Sequence, residues 1–186
     1  MTTRTSEPLT TEFAALVASV RKAVHSEVDP SVSARRVGDL LTDRLAEGLP
    51  LPAHLRGHNP DHYTQHLVHA EPDGAFSIVA LVWLPGQATP IHDHVSWCVT
   101  GVVEGQETEE VYEIRQAETG PCLVRTGTVI NVVGAVSALD PPGDIHRVRN
   151  SCTELAVSLH IYGADIRRLG SSIRRTYDLP VLDPAR

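Results

Sequence analysis

Between Tyr63 and Tyr162 the chain never sustains an apolar period long enough for a helix. It breaks instead into short segments rich in branched and aromatic residues. HLVHA, FSIVALVWL, SWCVTGVVEG, EEVYEIRQ, CLVRTGTVINVV, HRVRN and ELAVSLHIY follow one another, cut by Gly, Pro and Asp. Such side chains suit a pleated, half-buried surface, and turn residues at this spacing close strands into a sandwich or barrel. With no helix between consecutive segments, parallel βαβ units are disfavoured. The expected fold is mainly β.

The first fifty residues read differently. Phe13, Leu16, Val17, Val20 and Val24 recur at the spacing of one helix face. A second helix is expected from Asp29-Pro30, an N-cap followed by proline at the first helical position. It would bury Val37, Leu40, Leu41 and Leu45 and end near Gly48 and Pro50. Both helices are expected to cover an edge of the β core. The 186 residues suit one domain, with helices over 1–50, a barrel over 60–165 and a C-terminal segment over 166–186. That last segment reads as a loop or short helix across the barrel.

Charge and composition remove several classes of function. A net charge of −7 with no run of Lys or Arg offers nucleic acid no surface. The longest apolar run, Ile78–Leu84, is too short to span a bilayer, so no membrane is expected as a partner. The opening MTTRTSEPLTTE has no apolar stretch of the kind a secretory signal needs. Cys98, Cys122 and Cys152 are odd in number and lack CxxC spacing, so neither a disulfide framework nor a zinc knuckle is indicated. A cytoplasmic location is expected.

The stretch PIHDHVSWCVTG, residues 90–101, carries the first chemical signal. In a strand His92 and His94 point one way and Asp93 the other. Two imidazoles side by side can chelate a divalent first-row metal; a pair of surface histidines is the alternative. Gly86 lies six residues before His92 and Gly105 seven after Cys98, while Pro141-Pro142-Gly143-Asp144-Ile145-His146 leads to Asn150.

These spacings resemble the two signature motifs of the cupin superfamily, whose fold is a double-stranded β-helix, a jelly-roll barrel. Residues 86–105 fit G-x5-H-x-H-x3-E-x6-G with Cys98 in the glutamate position. Residues 141–150 fit the latter part of G-x5-P-x-G-x2-H-x3-N, with Gly134 one residue too far upstream. The resemblance covers about residues 60–165 and implies that His92, His94 and His146 are metal ligands. Without the glutamate, a neutral three-histidine face leaves the ion its full charge and favours anionic substrate ligands such as a thiolate. Zinc also binds three histidines, so ligand type alone does not choose the metal.

The late segment ELAVSLHIYG carries the second signal. Alternation places Ser158, His160 and Tyr162 on one face and Val157, Leu159 and Ile161 on the other. If the polar face lines the barrel, its members must satisfy one another, and a chain from hydroxyl to imidazole to phenol does so. A solvent-facing polar strip is the alternative.

A cupin with three histidines, no motif glutamate and a late S-x-H-x-Y strand resembles the thiol dioxygenases, the family of cysteine dioxygenase and 3-mercaptopropionate dioxygenase. The resemblance implies mononuclear non-haem Fe(II), a small thiol acid bound through sulfur, O2 as co-substrate and a sulfinate product. It makes Ser158, His160 and Tyr162 an outer-sphere triad, with Tyr162 hydrogen-bonding the substrate. It also assigns substrate binding to Tyr63 and Gln65. Mammalian-type members carry Tyr-x-Arg there, the arginine pairing with the substrate carboxylate. Bacterial relatives with glutamine generally prefer 3-mercaptopropionate or accept several thiols, and take the carboxylate with a C-terminal arginine.

Glutamine lacks the charged fork of arginine, so Arg167, Arg168, Arg174 and Arg175 are candidates for that partner, and Arg168 is the choice. In mammalian-type enzymes a cysteine forms a thioether with the tyrosine equivalent to Tyr162. Cys98 lies four residues after His94, one fewer than that cysteine, so a Cys98–Tyr162 crosslink and a buried apolar thiol both stand. The rival to an enzyme is a cupin that binds a small molecule or metal without turnover, as a sensor or store.

Overall fold

The computed structural model describes residues 9–26 and 29–182; the expectations for the opening residues 1–8 and for residues 183–186 lie outside the described residues. Two helices come first, α1 (Thr11–His25) and α2 (Pro30–Ala46). Thr10 Oγ1 accepts the Phe13 N–H at 3.4 Å, and the Asp29 carboxylate accepts the Ser31 N–H at 2.8 Å. Each cap satisfies a donor that the first helical turn leaves open. Phe13, Leu16, Val17 and Val20 are buried as the spacing predicts, while Val24 is half-buried and Ala23 takes the remaining inward position.

The strands are β1 (Thr64–Ala70), β2 (Ser77–Trp83), β3 (His92–His94), β4 (Cys98–Glu104), β5 (Gln106–Ala117), β6 (Gly120–Val132), β7 (Val136–Leu139), β8 (His146–Asn150) and β9 (Ala156–Tyr162). A one-turn helix α3 (Ile166–Leu169) and two short strands, β10 (Ile173–Thr176) and β11 (Val181–Leu182), follow. They form two sheets, β1-β2-β9-β4-β7 and β10-β3-β8-β5-β6-β11. This is the double-stranded β-helix of a cupin, mainly β, with the N-terminal helices laid on it.

The first sheet has two buried faces. Outward, Ile78, Ala80, Val82, Val99, Val157, Leu159 and Ile161 pack with the apolar stripes of α1 and α2. Inward, Val79, Leu81, Trp83, Cys98 and Tyr162 meet Val148 of the second sheet. Gly101 of β4 lets α2 come close, since a Cβ there would meet Leu41 Cδ2 at 2.7 Å. Gly105, the last glycine of the first motif, turns the chain at φ 72°, with Leu155 O only 2.6 Å from where a Cβ would sit. Asn150, the last residue of the second motif, is buried and donates to Trp83 O and Glu154 O, so it fastens strands rather than doing chemistry.

Over the described residues 166–182 the C-terminal segment has the expected short helix, and two strands follow it. β10 pairs antiparallel with β3, continuing the sheet that holds the histidines. The cause is Asp93, which points away from the histidines and is buried. Its Oδ2 takes Arg174 at 2.6 Å, Tyr177 Oη at 2.8 Å and Arg175 at 3.2 Å. Burial alone would raise this carboxyl, but these donors outweigh it and hold it down to about 2.

Candidate metal centre

Pairing of β3 with β8 sets His92 opposite His146, and alternation brings His94 to the same face. The three ring centroids lie 4.7–4.9 Å apart, and one ligand atom from each ring falls within 4.8 Å of the others. All three rings are buried. In each, Nδ1 is engaged from behind: His92 by Pro90 O at 2.9 Å, His94 by Asp144 Oδ2 at 2.9 Å and His146 by Glu109 Oε1 at 2.7 Å. An Nδ1–H donated to such an acceptor leaves the Nε2 lone pair for a metal. Nε2 of His146 is buried and has no hydrogen-bond partner.

Charge agrees with that geometry. Burial, then the neighbouring rings of His146 and His94, lowers His92 to about 3, so it is a neutral ligand at ordinary pH. Burial would raise Asp144 and Glu109, but hydrogen bonds to His94 and His146 outweigh it and keep both below the usual carboxylate value. These acids stand behind the rings. Among the described residues the ligating group contains the three histidines and no carboxylate. Three imidazole nitrogens facing one point, one of them orphaned, with carboxylates behind two of the rings, fit a divalent cation with open positions.

Cys98, in the motif's glutamate position, pairs across strands with Tyr162 and is a free, buried thiol 4.0 Å from His160 Nδ1. Burial pushes its pKa well up, so it stays protonated. Ser158, His160 and Tyr162 share the inward face of β9 as alternation predicts. Ser158 Oγ is 3.0 Å from His160 Nε2, and His160 Nδ1 is 3.2 Å from the Tyr162 hydroxyl. The Trp83 indole N–H donates to Ser158 Oγ at 3.3 Å. Burial drives His160 well below its ordinary pKa and Tyr162 well above, which leaves a neutral imidazole and an intact phenol. The phenol ring lies 6.1 Å from that of His94.

A cavity opens over the histidines, lined by Tyr63, Gln65, Thr89, Tyr162, Ser172 and Ile173 among others. Tyr63 leans on Trp83 with ring centroids 4.6 Å apart, and Gln65 is exposed at the cavity's edge. Arg168 corrects the sequence expectation: it is not at this cavity. It donates to Pro72 O at 2.9 Å and to Asp165 at 3.3 Å, on the exposed side of α3. Asp165 caps α3 and gathers Arg167 as well, while Asp93 gathers Arg174 and Arg175. None of these four arginines lines the cavity.

Sequence reasoning also missed Glu109, Asp144, Thr89 and Ser172. Asp144 had a signal, an acid two residues before a ligand histidine. Glu109 shows its role only through the β5–β8 pairing that sets it beside His146.

The barrel and its imidazole trio define a cupin with a three-histidine site of the kind that can hold a metal ion. Residues 52–169 match the family model of cysteine dioxygenase type I, well over half the chain, and the chain belongs to that family. It is similar to cysteine dioxygenase type 1 of Danio rerio, 30% identical over 116 residues, which cover 61% of this chain and 57% of that protein. With the Homo sapiens enzyme it shares 32% over 102 residues, 54% of this chain and 50% of the other. The chain thus spans about half the length of these curated relatives. Among solved structures, a Thermus thermophilus protein aligns at 21% identity and TM-score 0.46, covering 63% of this chain and 97% of its own. A cupin superfamily protein of Desulfitobacterium hafniense aligns at 13% and TM-score 0.47, covering 62% and 91%. Among the described residues no helix is long and apolar enough to cross a membrane.

Proposed function

We propose that the chain is a non-haem Fe(II) thiol dioxygenase, oxidising a small thiol with O2 to the sulfinic acid. The observation that carries this reading is the buried relay from Ser158 through His160 to Tyr162, set beside three imidazoles with no carboxylate among them. A plain metal-binding module gains little from a phenol oriented by two buried partners. Membership of the cysteine dioxygenase family supports the same reading.

His92, His94 and His146 would hold the ion. Bound there, ferrous iron supplies the charge that favours a thiolate and the redox chemistry by which O2 reaches sulfur. The chain's own groups do the rest. Tyr162 offers a protonated phenol inside the cavity, held by His160, as a hydrogen-bond donor to the reacting groups. Leu81, Val148 and Ile173 give the cavity apolar walls. Tyr63, Gln65 and Ser172 bind the tail of the substrate, and fixing that tail turns the sulfur toward the ion.

The substrates we favour are 3-mercaptopropionate and L-cysteine. Their carboxylate would be hydrogen-bonded by the Gln65 amide and the Ser172 hydroxyl instead of ion-paired with Arg168. Three free cysteines suit the reducing cytoplasm where such thiols are available.

Anaerobic loading with Fe(II), followed by O2 uptake with 3-mercaptopropionate, L-cysteine and cysteamine in parallel, tests the reading. One sulfinate per O2 consumed supports it and ranks the thiols. No uptake with any of them favours a sensor or storage cupin.

A further inference from the structure

β10 is an edge strand that walls the cavity, and one buried carboxylate holds it there. Among the described residues its strand neighbour is the short β3. Ile173 stands opposite His94 and Arg175 opposite Asp93, so β10 advances two residues where β3 advances one. Cross-strand partners share a face. Ile173 therefore lies on the cavity side with His94, and Arg175 on the far side with Asp93. In an unbroken strand residues 173 and 175 would share one face. The bulge at Arg174 separates them, and it lets Arg174 and Arg175 both reach the same carboxylate.

Asp93 is 1% exposed, and a carboxylate so buried needs partners. Its Oδ1 has none among the described residues, so Oδ2 carries the whole attachment, to Arg174, Arg175 and the Tyr177 hydroxyl. The Arg175 guanidinium also lies over the Tyr177 ring, 5.8 Å from its centre, so the donors pack as one cluster. Backbone bonds close both ends of the pairing. Val95 N–H donates to Ser172 O at 3.0 Å, and Tyr177 N–H donates to Ile91 O at 2.9 Å. Ser172 and Ile173, at the start of this clamped stretch, line the cavity, while Asp93, Arg174, Arg175 and Tyr177 do not.

We propose that Asp93 is a positioning residue that clamps β10 and so sets the place of Ser172 and Ile173, the wall against which the substrate tail rests. One three-residue strand, His92-Asp93-His94, then fixes the metal face with its histidines and the substrate wall with its aspartate. Loosening the clamp should weaken substrate binding and leave the metal in place. The effect on substrate rests on the dioxygenase reading; the clamp itself does not.

Arg174→Ala with Tyr177→Phe cuts the clamp without touching β3, and Arg175 still neutralises Asp93. The segment stays tied at both ends, by the Asp165 cap of α3 and by β11 on β6, so this variant should fold. Amide hydrogen exchange in the isotope-labelled full chain, with Zn(II) added as a diamagnetic ion, reads the clamp directly. The amides of Val95 and Tyr177 should exchange at least about tenfold faster than in the parent, the worth of one charge-assisted hydrogen bond. Those of Leu159 and Ile161 on β9 should keep their parent rates. Asp93→Asn should speed the same two amides, and the combined variant should show less than the product of the separate effects, because both changes strike one cluster.

Parent rates at Val95 and Tyr177, faster exchange across β9 as well, or effects that multiply in full overturn the proposal. In the ferrous protein the KM for 3-mercaptopropionate should rise about tenfold in Arg174→Ala with Tyr177→Phe, with kcat and iron content within about twofold. An unchanged KM, with or without a fallen kcat, also overturns it. If the parent chain oxidises no thiol, the dioxygenase reading fails, and hydrogen exchange decides the role of Asp93 by itself.

Discussion

The two faces of β9 put one backbone to opposite uses. Outward, Val157, Leu159 and Ile161 disappear among Ile78, Ala80, Val82 and the helix side chains, where fit is a matter of volume. Inward, Ser158, His160 and Tyr162 are just as buried, yet each is held by a named partner at hydrogen-bonding distance. The outer face can be altered one methylene at a time, and stability falls by degrees. The inner face has no such tolerance, because a buried polar group without its partner is costly and a misdirected one is inactive. On β9 the outer face is held by packing and the inner face by named hydrogen bonds.

That division can be broken most severely on the inner face. His146→Ala should abolish metal retention while the far-ultraviolet spectrum stays that of the parent; a variant that keeps stoichiometric metal would remove His146 from the centre. On the outer face Leu159→Ala should lower unfolding free energy by about 2–5 kcal/mol, read by denaturant titration, and leave the folded protein's metal content unchanged. Metal loss at full stability would reverse the assignment of the two faces. Glu109→Gln keeps the shape but weakens the grip on His146 Nδ1, so metal affinity should fall about 10–100-fold in competition with a chelator. Tyr162→Phe should reduce kcat about tenfold, the worth of one well-placed hydrogen bond, with iron content near that of the parent chain. Iron loss in that variant would make the tyrosine structural. The smallest effect is expected outside both faces: Arg168→Ala should leave KM within about twofold, and a rise near tenfold would return that arginine to the cavity.

How far these features could be read in advance depends on whether the signal was local. The helix stripes and the longer strands announce themselves by period. The ligand histidines stand at motif spacings, and the triad of β9 follows from alternation alone. β7 and β11 are too short for any period to show, and β10 reads as loop or short helix because its arginines give no sign of the buried Asp93 they serve. Glu109 opens EEVYEIRQ, a segment that reads as a strand, but nothing in it names the strand beside it. Only the pairing of β5 with β8 sets Glu109 beside His146. The four arginines of the C-terminal segment carry no register that singles one out, and the cap of α3 at Asp165 holds Arg168 on the surface. Motif and period are properties of the chain; register and capture by a neighbour are properties of the folded sheet.

X-ray absorption at the iron edge, on the ferrous protein before and after anaerobic addition of 3-mercaptopropionate or L-cysteine, tests the centre most directly. The account predicts three imidazole nitrogens around the ion, light atoms from solvent in the remaining positions, and a sulfur neighbour that appears with the thiol. Fewer than three imidazoles, or no sulfur after either thiol is added, would contradict it.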